Sequence, residues 1–98
     1  MLGQKIREYR ETKGLLQREV AAELRVDTAY VSKMESSEKP VSKGYLKTLA
    51  KLYGTSEAEL LTLWLADKVF DVVKDESVGL KAINFAEEEL MKKKKNKQ

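Results

Sequence analysis

The chain has 98 residues, a formal net charge of +3, 42% hydrophobic residues, one proline, and neither cysteine nor histidine. That length suits one compact domain with a short appendage, and that apolar share is too high for a disordered chain. The missing residue types exclude disulfides, ordinary structural zinc sites, and Cys–His or Ser–His nucleophilic pairs.

The first helix is expected over about Leu2 to Lys13, where Leu2, Ile6 and Tyr9 recur at three- and four-residue spacing. Gly14 should close it in the left-handed conformation. A short second helix follows over about Gln17 to Leu24, with Val20, Ala21 and Leu24 on one side. Arg25-Val26 makes a tight connection, and Asp27 stands where its carboxylate can accept a free N–H of the next helix. The third helix is expected over Thr28 to Glu35, followed by a loop from Ser36 to Val41 that contains Pro40. Ser42 is expected to cap a fourth helix, which carries Tyr45, Leu46, Leu49, Ala50, Leu52 and Tyr53 and stops at Gly54. Ser56-Glu57-Ala58-Glu59 has the spacing of a capping box and opens a fifth helix.

The fifth helix has two apolar sides on a wheel of about 100° per residue. Leu60, Leu61, Leu63 and Trp64 cluster on one, and Leu65, Ala66, Val69, Phe70, Val72 and Val73 lie roughly opposite. The first side can close the N-terminal core, and the second needs another cover. A sixth helix, about Val78 to Lys93 with Ser77 as its cap, offers Val78, Ala82, Ile83, Phe85, Ala86 and Leu90. One short helix does not obviously cover everything, so a second subunit is the natural remainder. Leu65, Val69, Phe70, Val73, Ile83 and Phe85 are the candidate dimerisation residues, the alternative being a hairpin that closes on itself.

Charge is unevenly distributed. Residues 1–53 carry net +4, residues 54–91 net −6, and residues 92–98 net +5. A basic N-terminal half can face a polyanion, with the acidic segment turned away. The lysine-rich tail reads either as a further contact with a polyanion or as a frayed, solvated end. The glycines are too dispersed for a phosphate-binding loop, and the carboxylates sit among lysines as on solvated helix faces. Catalytic residues, metal ligands and cofactors are therefore not expected, nor is a small-molecule ligand evident. The cluster Leu60 to Ala66 is too short to span a bilayer, and the N-terminus lacks the apolar core of a secretion signal. A cytoplasmic protein with no membrane partner is expected.

Two short helices joined by a tight turn, the second with a polar outer face, describe a helix-turn-helix. On the third helix Thr28, Ala29, Ser32 and Lys33 fall within an arc of about 140°. Val31, Met34 and Asp27 lie opposite, with Tyr30 at the border. Periodicity alone leaves this open as an ordinary surface helix or as one short enough in side chain to approach base edges in a major groove.

The composite pattern is more specific. It comprises Ile6-Arg7-Glu8-Tyr9-Arg10, Gly14-Leu15-Leu16-Gln17, Val20-Ala21, Val26-Asp27, Val31-Ser32-Lys33-Met34-Glu35, Pro40, and Leu46 with Leu49-Ala50. Over about residues 2–61 it resembles the lambda-repressor-like (XRE-type) helix-turn-helix family. The resemblance implies an all-α fold, a lambda-repressor-like DNA-binding bundle with two additional C-terminal helices. It implies base-reading positions at Thr28, Ala29, Ser32 and Lys33 and phosphate contacts from Gln17, Arg18, Lys39, Lys43 and Tyr45. It also implies a structural ion pair between Arg10 and Glu35. Two positions depart from the family's habit: Leu16 stands where a hydroxyl cap is usual, and Arg25 where glycine is usual in the turn.

The expected organisation is a DNA-binding domain over 1–61, a dimerisation extension over 62–93, and a basic, disordered tail over 94–98. The implied function is sequence-specific regulation of transcription by a homodimer on a near-palindromic site in double-stranded DNA. An autoregulatory repressor is the first form of this, and in size and layout the chain is similar to controller proteins of restriction–modification systems. The alternative is an antitoxin-type protein whose C-terminal helices bind a partner protein.

Overall fold

The structure, a computed structural model, describes residues 1–96. They form α1 (Leu2–Thr12), α2 (Gln17–Leu24), α3 (Thr28–Glu35), a 3-10 turn (Lys43–Tyr45), α4 (Leu46–Tyr53), α5 (Glu57–Val73) and α6 (Gly79–Asn96). Among the described residues there is no strand, so the class is all-α, and no helix is long and apolar enough to cross a membrane.

Two compact units divide the chain, Met1–Asp67 and a second that starts at Lys68. The boundary lies a few residues beyond the expected one because α5 is still tied to the first unit there. Leu61, Leu63 and Trp64 pack against the first core, and the Asp67 carboxylate accepts the Leu2 N–H at 3.0 Å.

The first unit is built around residues supplied by every one of its helices. Leu2 and Ile6 come from α1, Val20 and Leu24 from α2, Val31 and Met34 from α3, Leu46, Leu49 and Tyr53 from α4, and Leu60 from α5. Fully burying one such side chain is worth about 1.5–3 kcal/mol. The Trp64 indole N–H donates to the Val41 carbonyl at 2.7 Å and so ties the loop after α3 to α5.

Gly14 and Gly54 take positive φ, 68° and 66°, and end α1 and α4 as their positions predict. Gly3 has a different reason. A Cβ there would lie 2.5 Å from the Met34 carbonyl oxygen and 2.7 Å from the Ser37 hydroxyl, so only glycine lets α1 approach the end of α3 this closely.

Three expected caps come out differently. Ser42 does not cap α4: Lys43–Tyr45 wind as a 3-10 turn, Ser42 contributes its carbonyl to the Tyr45 N–H at 3.0 Å, and α4 opens only at Leu46. Gly44, a poor helix former, sits in that turn. Half of the box at α5 forms. The Ser56 hydroxyl accepts the Glu59 N–H at 3.0 Å, but the Glu59 carboxylate turns to the Tyr9 hydroxyl at 2.8 Å and to the Thr55 hydroxyl. Ser77 does not cap α6, which opens at Gly79, whose N–H bonds the Glu76 carbonyl at 3.0 Å. A Cβ at Gly79 would meet the Val73 carbonyl oxygen at 2.8 Å, so the link between α5 and α6 is closely packed.

In the second unit Val69, Phe70, Val72, Val78, Leu80, Phe85, Leu90 and Met91 are exposed, and Val73 and Ile83 are half-buried. α6 continues through Lys94 and Lys95 to Asn96, past the end expected at Lys93, with lysines favouring the negative end of the helix dipole. Of the expected tail, Lys97 and Gln98 lie outside the described residues.

Candidate nucleic-acid interface

The α2–turn–α3 segment is held by local chemistry at each joint. Leu16 has no side-chain acceptor for the first turn of α2; instead its own N–H is accepted by Glu19 Oε1 at 2.9 Å. The Glu19 and Val20 N–H groups return to the Leu16 carbonyl at 3.0 and 3.3 Å. Arg25 adopts the left-handed conformation, φ 59° and ψ 44°, that glycine would take without strain. In exchange its N–H reaches the Ala22 carbonyl at 3.2 Å and the Val26 N–H reaches that of Ala21 at 3.0 Å, closing the end of α2. Asp27 Oδ1 then accepts the Tyr30 N–H at 2.8 Å and caps α3.

The inner side of α3 is fixed by Val31, Met34 and Glu35, all buried. Arg10 of α1 pairs with Glu35 in a two-pronged contact, Nε to Oε2 at 2.7 Å and Nη2 to Oε1 at 3.0 Å, while Nη1 donates to the Leu15 carbonyl at 3.0 Å. Gln17 Nε2 of α2 adds a third donor to Glu35 Oε1 at 3.1 Å. Hydrogen bonding to Glu35 raises the Arg10 pKa above its ordinary value, against the opposing effect of burial. Charge and hydrogen-bond donors therefore converge on Glu35, which is how a buried carboxylate is accommodated. Among the described residues no buried side-chain polar atom lacks a partner.

The outer side of α3 is left open. Thr28, Ala29 and Ser32 are exposed and Lys33 is half-buried, on one face as their spacing predicts. Arg18, Lys39 and Lys43 are also exposed. Lys43 Nζ stands 5.7 Å from the centroid of the Trp64 ring, and the Tyr45 ring meets the edge of Tyr30 at 6.1 Å. Tyr45 is half-buried and packs against the core of the first unit.

The resemblance implies a phosphate contact for Gln17 at the start of α2; in the structure its amide donates to Glu35, leaving one amide hydrogen uncommitted. Residues eighteen positions apart leave no local signal of that bond. The close approach at Gly3 does leave one: a glycine inside a helix, three residues before the buried Ile6. Among the described residues no group of acidic side chains could hold a metal ion.

A protein-family model described as a helix-turn-helix domain matches residues 1–63. Comparison with curated proteins and with solved structures gives no match.

Proposed function

The chain belongs to the helix-turn-helix domain family, and on that basis we propose that it is an XRE-type, sequence-specific DNA-binding regulator of transcription that acts as a homodimer. The observation that carries this reading is the division of α3. Its inner side is anchored by Arg10, Gln17 and Glu35, while Thr28, Ala29, Ser32 and Lys33 remain available on the other. Short side chains on a rigidly held helix suit close approach to base edges in the major groove. Lys33 would donate to guanine O6 and N7, and the methyl groups of Thr28 and Ala29 would touch a thymine methyl.

Gln17, Arg18, Lys39, Lys43 and Tyr45 are assigned to the phosphate backbone, where they position the domain and supply salt-dependent affinity. Two copies would present α3 to half-sites about 34 Å apart, on a near-palindromic operator. The order of elements, a DNA-binding bundle followed by two further helices, suits an autoregulatory repressor or a controller of a restriction–modification system. The exposed apolar residues of the second unit also suit a partner protein, as in an antitoxin. Co-purification with a neighbouring gene product in place of self-association would favour that second reading.

The test is binding of the purified protein to DNA from upstream of its own gene, against scrambled DNA of equal length, across a salt series. The expected result is strong preference for the upstream DNA with a two-fold symmetric footprint. Equal, weak and steeply salt-dependent binding to both would reduce the interaction to charge attraction and overturn the reading.

A further inference from the structure

Leu80, Ile83, Glu87, Leu90 and Lys94 follow one another along α6 at spacings of three, four, three and four residues. That is the spacing of a coiled-coil seam, and it places all five within an arc of about 80°. Leu80 and Leu90 are 80% and 67% exposed, and Met91, beside the seam, is 64% exposed. Two positions on this otherwise apolar line are charged and of opposite sign.

Glu87 and Lys94 have no counter-charge within their own helix. The residues three and four positions from Glu87 are Ile83, Asn84, Leu90 and Met91, and those before Lys94 are Leu90 and Met91. At seven residues' separation, about 10 Å of helix, the two do not reach each other. Glu89 and Lys92, by contrast, already meet inside α6 at 3.4 Å. Among the described residues, neither Glu87 nor Lys94 has an ion-pair partner.

The charges are also mirror-arranged. Glu87, Glu88 and Glu89 stand on one side of Leu90-Met91 and Lys92, Lys93 and Lys94 on the other. A parallel pair of α6 helices would set Glu87 against Glu87 and Lys94 against Lys94. An antiparallel pair crossing between Leu90 and Met91 sets each glutamate opposite a lysine of the second copy. It also packs Leu90 and Met91 of both copies at the crossing.

We infer that α6 is the self-association element of this protein. It pairs antiparallel with α6 of a second copy about a two-fold axis between Leu90 and Met91, with Glu87 of each copy facing Lys94 of the other. This rests on the homodimer reading above and gives it a specific surface, symmetry and register. Such a pairing is isologous and closes at two copies. The two charged seam positions fix direction, as single polar seam residues do in coiled coils.

The experiment uses the full chain. Sedimentation equilibrium gives the dimer dissociation constant of the wild type, Glu87→Lys, Lys94→Glu and the double exchange, with circular dichroism confirming that each is folded. Each single exchange turns two attractions into two repulsions and should weaken the dimer roughly tenfold. The double exchange should restore it. In parallel, Leu90→Cys should oxidise to a covalent dimer, because its two copies meet near the axis. Leu80→Cys should not, because its copies would lie about 30 Å apart.

A monomeric wild type, a dimer that Leu90→Cys fails to link, a link through Leu80→Cys, or no recovery in the double exchange would each overturn the pairing. Preference for upstream DNA is measured separately on the same proteins. Loss of the pairing with that preference intact removes only this inference, whereas loss of the preference with the pairing intact removes the DNA-binding reading.

Discussion

Lys33 is the one cation among the four residues on the outer side of α3, and its half-burial means that its stem is already partly ordered. In the proposed function such a partly covered side chain would discriminate between bases with less loss of freedom than a fully exposed one. Lys33→Ala is expected to relax preference at one base position of each half-site by ~1–3 kcal/mol while leaving the fold unchanged. Binding to a set of singly substituted sites checks this, and an equal loss on all of them would make Lys33 a phosphate contact. Tyr53 gives a prediction about pH. Its ring is buried and stacks on Tyr9 at 5.9 Å, and burial pushes its phenol from 10.0 up to about 12. A pKa raised on folding means that the neutral form is the one stabilised. That contribution is fully present below pH 10 and is lost as pH rises toward about 12. Tyr53→Phe should therefore lose less stability than the wild type across that window, as measured by the alkaline shift in Tm of the two proteins.

At the scale of elements, α2 and α3 were legible in the sequence to the residue, α2 through its apolar spacing and α3 because Asp27 gives it a local start. The left-handed turn after α2 and the Asp27 cap of α3 act within three or four residues. The start of α4 was not legible. Its extent depends on how Lys43–Tyr45 are wound against Trp64 and Tyr30, contacts between residues distant in sequence. The bond from Gln17 to Glu35 was not legible for the same reason, the amide being directed to a residue of another helix. The outer face of α3 could be read in full, since helical periodicity alone determines it. Arg25 carries a departure from family habit into measurable terms. A non-glycine residue in the left-handed region costs about 1–2 kcal/mol. Arg25→Gly should recover about 1 kcal/mol, less than that strain because glycine also gains freedom in the unfolded chain. Urea denaturation measures the change, and a loss of stability would mean that the Arg25 side chain contributes more than its backbone strain costs.

The whole molecule is electrically divided, with net +4 over residues 1–53 and net −6 over residues 54–91. In the proposed function the basic part meets DNA, and the acidic part with its exposed Leu90 and Met91 serves association. Replacing both Leu90 and Met91 by glutamate should give a folded monomer with weak operator binding, because two linked half-site contacts are reduced to one. Sedimentation mass decides it, an unchanged mass excluding these residues from the interface. The division of α3 has a consequence at this scale as well. The side chains that anchor the helix, Val31, Met34 and Glu35, are different from those that it offers outward, Thr28, Ala29, Ser32 and Lys33. In the proposed function, fold and address would thus be written in separate letters of one eight-residue word. The outward four can be randomised as a library and selected for new target sites, with the scaffold carried unchanged from one variant to the next.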